Sequence, residues 1–335
     1  MKESELGRTM IVGFSRLLLL MAFIMPIVSC GGDTTNSISI RIAVSKTPLS
    51  STIYIAAAQD YFAQCGLDVT LTEYAGGLRS MNALLDGAAD FATGSDTLFA
   101  FNAQNHKDLA IIAGLATSDH DTKILSRDLS AARGSFRLGY YPDTASEYLM
   151  RMYLALVPTI ANLELVPLTP EEMVEAWQRG ELDKAVIWEP HAFEMYKNSP
   201  NSTQIVDTKG LYKLNFQLLS RTSILTQTPE VTERMIHALN LAAYFIIQNQ
   251  QEAKNIVKQQ LGLDDDFIEW DWPNSQYKVN IGRQLLLTAQ EDARWLKKVS
   301  NHKKSLTVDA NQISAITLNM ANPSFEASNQ FCDRL

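Results

Sequence analysis

Cysteine, histidine and clustered positive charge are what this sequence of 335 residues has least of. Three cysteines exclude a disulfide-built scaffold, and no two of them stand at metal-ligand spacing. The formal charge is −8, and no block of Lys or Arg occurs. That excludes nucleic-acid binding, which needs a basic stripe against the phosphates. The five histidines are scattered. No His-Glu-x-x-His pair, Gly-x-Ser-x-Gly elbow or Gly-rich phosphate loop ending in Lys occurs, so the common hydrolase, zinc-protease and nucleotide-binding signatures are missing. The single long apolar run, Leu17 to Val28, is shorter than the roughly 20 residues of a membrane span.

That run has another reading. Lys2, Arg8 and Arg16 precede it and Pro26 lies within it, which is the layout of a secretory signal. Ile27-Val28-Ser29-Cys30, followed by Gly31-Gly32, resembles a bacterial lipobox, in which the cysteine is diacylated and becomes the mature N-terminus. Residues 1–29 are expected to be a signal peptide and residues 30–39 a lipidated tether. Glu3 and Glu5 are unusual in such a signal, and translation from Met10 would remove them. With Cys30 lipidated, Cys65 and Cys332 remain as a candidate disulfide in an oxidising compartment; the alternative is two unpaired thiols.

One phrase occurs twice. Gly87-Ala-Ala-Asp90-Phe-Ala92 leads to Ser95-Asp96-Thr97, and Gly180-Glu-Leu-Asp183-Lys-Ala185 leads to Trp188-Glu189-Pro190. Gly, Asp and the final acid are each displaced by 93 positions. Upstream, Ser51 and Thr144 stand at the same offset, each where a helix begins after a strand. Apolar runs alternate with helical periodicity around both copies, so each belongs to a β-loop-α-β-α-β unit. The class is therefore α/β, with two lobes built on open, mostly parallel sheets flanked by helices. Expected strands include Ile38 to Val44, Leu67 to Glu73, Phe136 to Tyr140 and Lys184 to Trp188. Expected helices include Thr52 to Gln64, Ala145 to Leu156, a capped helix from Thr169, a long one from Thr228, and Gln276 to Val299. A helix is also expected over Gln312 to Asn319. Residues 40–127 and 217–335 form lobe 1 and residues 128–216 lobe 2, joined by a two-crossover hinge.

Ligands of open α/β sheets bind beyond the carboxyl ends of the strands. The groups placed there are Ser50 and Ser51, Ser95 to Thr97, Asp119 with Asp121, Thr144 to Ser146, and Trp188 with Glu189. Helix starts at Ser50/Ser51, Gly76/Gly77 and Thr144 to Ser146 present unpaired N–H groups to an anion, although simple N-capping explains any one of these hydroxyls. The acids offer partners for an ammonium or ring N–H. Trp188 stands at a strand exit, where it either stacks on a ligand or fills core. Asp90 and Asp183 precede their strands at the opposite end and read as turn-formers.

Ile40-Arg-Ile-Ala-Val44, Pro48-Leu49-Ser50, Gly66-Leu67-Asp68-Val69, Pro170-Glu-Glu-Met-Val174 and above all Ile187-Trp188-Glu189-Pro190 resemble the solute-binding proteins of the nitrate, sulfonate, taurine and thiamine-precursor import family. The likeness covers nearly all of Ile38 to Tyr196 and is weaker in the helical C-terminal third. It implies the type II periplasmic-binding-protein fold and a monomeric, non-enzymatic receptor on the periplasmic face of a bacterial membrane. Such a receptor delivers its ligand to a permease with its ATPase. By position it implies a pocket of Ser50, Ser51, Ser95, Asp96, Thr97, Thr144, Ala145, Ser146, Trp188 and Glu189, with no cofactor and no metal. The sequence departs from the family at residues 130–135, which lack a Lys-Gly-Lys run, and at Asp60, where Gly is common. It also lacks the cysteine-rich iron motif of the related pyrimidine synthases. A small sulfonate-, taurine- or nitrate-like anion or zwitterion is the leading ligand. A thiamine-precursor pyrimidine, a sensory module, and a secreted enzyme using Asp96 and Glu189 are the alternatives.

Overall fold

The computed structural model describes residues 37–103, 105–127, 135–157, 160 and 162–299. The signal run, Cys30, nearly all of the tether, Cys332 and the helix expected at Gln312 to Asn319 lie outside these. Cys65 is buried and disulfide-bonded.

The chain opens with β1 (Ile38–Ser45), a 3-10 turn at Pro48–Ser50, α1 (Ser51–Ala58), α2 (Tyr61–Gln64), β2 (Leu67–Tyr74), α3 (Gly77–Leu85), β3 (Phe91–Ser95) and α4 (Asp96–Asn102). The strands β4 (Leu109–Ser118) and β5 (Thr122–Arg127) follow. A second unit runs through β6 (Phe136–Tyr140), α5 (Ala145–Leu156), β7 (Leu163–Pro167), α6 (Pro170–Gln178), β8 (Lys184–Trp188), α7 (His191–Asn198) and β9 (Thr203–Ile205). The remainder is β10 (Leu214–Arg221), α8 (Thr222–Gln227), α9 (Pro229–Gln248), α10 (Gln250–Leu261), α11 (Asp265–Asp271), β11 (Ser275–Asn280) and α12 (Arg283–Val299).

Two sheets result, ordered β11-β4-β10-β3-β1-β2 and β7-β6-β8-β5-β9. The first strand of each unit lies between its second and third, parallel to both. An antiparallel strand then flanks the third: β10 beside β3, and β5 beside β8. This placement moves a boundary. Residues 122–127, assigned to lobe 1 from the sequence, pair with β8 and β9 in the second sheet. The outward crossover is therefore residues 119–121, and the return joins β9 to β10.

The repeated phrase has one structural meaning in both lobes. Gly87 and Gly180 hold φ of 76° and 70°, the left-handed conformation that ends α3 and α6 at little steric cost. The following carboxylate then pins the first strand. Asp90 Oδ2 accepts from the Arg41 N–H at 2.8 Å, and Asp183 Oδ2 accepts from the Arg137 N–H at 2.8 Å. The capping box read at Thr169 is present, with Glu172 reaching back to the Thr169 N–H.

Alternation along the strands divides the core. Ile42 and Val44 face α1 and α9, where they meet Ile53, Met235 and Leu239, whereas Ala43, Ile111 and Leu219 face α3, α4 and α12. In the second lobe, Ile124 and Val186 face α5, while Leu125 and Ile187 face Trp177 of α6 and Met195 of α7. Fully burying a side chain such as Phe91 or Phe99 contributes about 1.5–3 kcal/mol before entropy is counted.

Several elements differ from the sequence reading. The helix expected over Thr52 to Gln64 breaks at Asp60, whose φ is 56°. The Ser95-Asp96-Thr97 loop is the start of α4. Residues 275–280 are a strand at the sheet edge rather than the start of a helix. The short helix α11 and the strand β5 were not expected at all.

Candidate functional site

The carboxyl ends of β1, β2 and β3 face those of β6 and β8 across a cavity of about 200 Å³. From the first lobe it is lined by Ser45 to Leu49 after β1, Ala75 to Leu78 before α3, and Ser95 with Leu98 of α4. The second lobe adds Thr144 and Ala145 at the start of α5, and Trp188, Pro190 and His191 between β8 and α7. The crossover supplies Asp121 and Thr122. Leu214 and Phe216 of β10, with Leu261 and Leu263 after α10, complete it. The wall is therefore chiefly hydrocarbon and indole, with polar groups from a few loop residues.

Helix starts converge on this space. Ser95 caps α4 by accepting from the Leu98 N–H at 3.2 Å, and Thr144 caps α5 by accepting from the Ser146 N–H at 3.3 Å. Gly76 precedes α3 with φ of 87° and offers no side-chain cap. The first N–H groups of a helix have no partner within it, so these starts carry unmatched donors and partial positive charge toward the cavity. Lys46 is the Lys or Arg residue that lines it. Burial pushes the His191 imidazole below its usual value, which keeps that ring neutral near pH 7.

Trp188, Ser95, Thr144 and Ala145 thus line the cavity. Asp121, Gly76 and Gly77, also placed at the strand ends from the sequence, line it too, whereas Ser50, Ser51, Asp96, Thr97, Asp119, Ser146 and Glu189 do not. Ser50 Oγ donates to the Ser45 carbonyl at 2.8 Å, and Ser51 Oγ donates to the Pro48 carbonyl. Ser146 Oγ donates to the Val186 carbonyl while accepting from the Tyr141 N–H at 2.9 Å. Thr97 Oγ1 lies 3.0 Å from Ser95 Oγ. These hydroxyls satisfy buried groups around the cavity. Asp119, at the crossover, pairs with His120 and is partly exposed.

The two matched acids are internal. Asp96 accepts from Tyr212 Oη at 2.7 Å, from the Asn215 N–H at 3.0 Å and Nδ2 at 2.8 Å, and from the Thr97 N–H at 2.8 Å. Burial nevertheless raises its pKa. Glu189 has no exposure; it meets Lys123 Nζ at 2.5 Å, accepts from Trp270 Nε1 at 2.7 Å, and caps the start of α7 through the Phe193 N–H at 2.9 Å. Expected to face each other across the ligand, both are turned into the protein instead. Four donors fill the acceptor sites of Asp96, and the three on Glu189 hold a side chain with no exposure, so neither is presented to a ligand.

The lobes also touch beside the cavity. Arg79 of α3 meets Glu171 of α6 at 2.9 Å. On the other side α11 reaches the second lobe. Trp270 stacks on Tyr196 at 5.1 Å between ring centres, Phe267 packs on Phe193 at 5.4 Å, and Lys197 pairs with Asp264 at 2.8 Å. Lys123, Tyr212, Trp270 and Phe216 are the contributors that sequence reasoning missed. Lys123 sits in a strand that was not recognised, and the others lie far along the chain from the repeated phrase.

Two α/β lobes with this strand order, crossed twice by the chain and with a cavity between their strand ends, define the type II periplasmic-binding-protein fold. The chain belongs to the NMT1-like family, which residues 33–261 match. Among solved structures it resembles the alkanesulfonate-binding protein SsuA from Xanthomonas axonopodis pv. citri, bound to MOPS, with 19% identity and a TM-score of 0.70 over 82% of this chain and 97% of that one. The periplasmic aliphatic sulphonate-binding protein SsuA from Escherichia coli aligns at 15% identity and a TM-score of 0.68, over 81% of this chain and 90% of that one. The ligand-binding component of an ABC-type import system from Staphylococcus aureus aligns at 13% identity and a TM-score of 0.68, over 85% and 99%. No curated protein sequence matches the chain.

Proposed function

We propose that this protein is the extracytoplasmic binding component of an ABC importer and that its cavity captures a small organic anion of the aliphatic sulfonate type. The observation that carries this is the meeting of an apolar wall with helix starts. Leu49, Leu78, Leu98, Leu214 and Phe216 suit a hydrocarbon tail, and the N–H groups at Gly77, Thr144 and Ala145, with Lys46, suit an anionic head. The names of the two SsuA relatives point the same way. Nitrate is a poorer match, because it would leave the hydrocarbon wall without an apolar partner.

Capture without turnover is the proposed activity. Asp96 and Glu189, the acids a catalytic reading would use, are both held in internal bonds. Export and a lipid anchor at Cys30 belong to the proposal, resting on the Leu17 to Val28 run and the small residues around Cys30. The receptor would work as a monomer with a permease and its ATPase. A heterocycle such as a pyrimidine is the second reading, favoured by Trp188 at the cavity wall with Tyr141 packed 6.1 Å behind it.

The test is thermal unfolding of purified protein against a panel of linear alkanesulfonates, nitrate and an aminopyrimidine. A true ligand at a hundredfold excess over Kd stabilises by about 2.7 kcal/mol, readily seen as a rise in Tm. A response to the pyrimidine with the sulfonates silent would favour the second reading. Silence across the panel sinks both.

A further inference from the structure

Around the crossover, Asp121 at the cavity wall and Glu189 and Asp271 behind it meet one lysine, Lys123. Asp121 lines the cavity and is 4% exposed. Its Oδ2 accepts one long hydrogen bond, from the Thr122 hydroxyl at 3.4 Å, and its Oδ1 receives no donor from the described residues. Lys123, the cation beside it, is committed elsewhere, to Glu189 at 2.5 Å and to the His120 carbonyl. Asp271 of α11, also buried, adds a third carboxyl to the same region, near the buried Tyr277 hydroxyl. One acid of the three is thus neutralised from within. A largely buried carboxyl with one long protein hydrogen bond leaves acceptor capacity facing the cavity, where a ligand donor can complete it.

We propose that Asp121 selects a ligand that carries a cationic nitrogen, its carboxylate pairing with the N–H group inside the cavity. The proposal rests on the reading of the cavity as a seat for a small organic anion and narrows that class to zwitterions. An ammonium brought into this hydrocarbon lining without a counter-charge would lose its hydration uncompensated. With Asp121 it is matched, and its charge favours the ionised carboxylate. Burial pushes the Asp121 carboxyl up to about 7, with Lys123 opposing the rise and Glu189 adding to it, so a bound cation changes its protonation in the neutral range.

The experiment is calorimetric titration of the full-length protein with two probes of equal shape, 1-butanesulfonate and 3-aminopropanesulfonate, which differ by a methyl against an ammonium. The wild type is expected to prefer the amino compound by about tenfold, as one added ion pair with a largely buried carboxylate implies. In Asp121→Asn the preference for the amino compound should collapse to within about threefold. The single long bond made by the Asp121 side chain makes this variant a mild one for folding. A second readout needs no variant. From pH 6 to pH 8 the affinity for 3-aminopropanesulfonate should rise as Asp121 ionises, while that for butanesulfonate should not. The shared probe shape cancels effects from Lys46, His191, Asp271 and the Lys123–Glu189 pair. Equal binding of both probes by the wild type, or a preference that survives Asp121→Asn, overturns the assignment and leaves the sulfonate reading standing. Binding of neither probe overturns both.

Discussion

A carboxyl side chain with no exposure to water needs protein donors in the water's place. Glu189 has the Lys123 ammonium, the Trp270 indole N–H and the Phe193 N–H. Removing one partner of such a pair leaves the other buried and uncompensated, at a cost of about 3–5 kcal/mol. Glu189→Ala is therefore expected to lower stability by that amount in urea unfolding. Asp119→Ala, which removes a partly exposed acid paired with its neighbour His120, should stay within about 0.5 kcal/mol. A variant that left stability untouched while abolishing ligand binding would return Glu189 to the cavity. At this scale the sequence was half legible. The chain position of Glu189 at a strand exit marked it as consequential, but the direction of its side chain depends on Lys123 and Trp270. No local pattern linked those residues to it.

At the level of elements, the two Asp residues of the repeat make the same bond in different surroundings. Asp183 is buried, whereas Asp90 is partly exposed and shared with the Arg41 guanidinium. The loss of a buried acceptor costs about 1–3 kcal/mol, and less where water can replace it. Asp183→Ala should therefore destabilise more than Asp90→Ala, by about 1 kcal/mol or more in matched unfolding curves. The strand-helix rhythm was readable because each unit keeps one period per element, with Gly and a cap as punctuation. Residues 136–140 and 145–156 emerge as read. The failures have causes. In β5 the sequence Thr-Lys-Ile-Leu-Ser-Arg is buried on both faces by its neighbours, so no alternation marks it. In β11 a polar edge strand looks like the first turns of the amphipathic helix that follows. Asp60 takes a left-handed conformation more usual for glycine, so nothing in the periodicity announced the break between α1 and α2.

For the whole molecule, the junction between lobes contains a second pair of acids. Tyr148 of α5 donates to Asp292 of α12 at 3.1 Å, Tyr212 donates to Asp96 of α4, and the two tyrosine rings lie 5.0 Å apart. Among the described residues, the titratable groups acting on this cluster are Glu291 and these same four. Burial, reinforced by Asp96, pushes the Asp292 carboxyl up to about 8. An unfolded Asp titrates near ~3.9. Between those values the folded protein holds more protons than the unfolded chain, so this contribution is fully present below about pH 4 and is lost as pH rises toward 8. The Tm should accordingly fall from pH 5 to pH 8. Asp292→Asn should flatten that slope and raise the Tm at pH 8; an unchanged slope would show that the pair does not set it. The lobe architecture itself was legible from the repeat, but this junction was not, because its four groups come from four distant stretches of chain.

The place of Trp270 has a consequence in light. Its indole donates to a carboxylate of the other lobe and lies between Phe193 and Tyr196 of α7, while Trp188 stands in the cavity wall and Trp177 is sealed in a core. Parting the lobes would move the first two toward water and leave the third as it is. The seam therefore carries its own chromophores, and the ultraviolet emission of the unlabelled protein should follow whether the cavity is occupied.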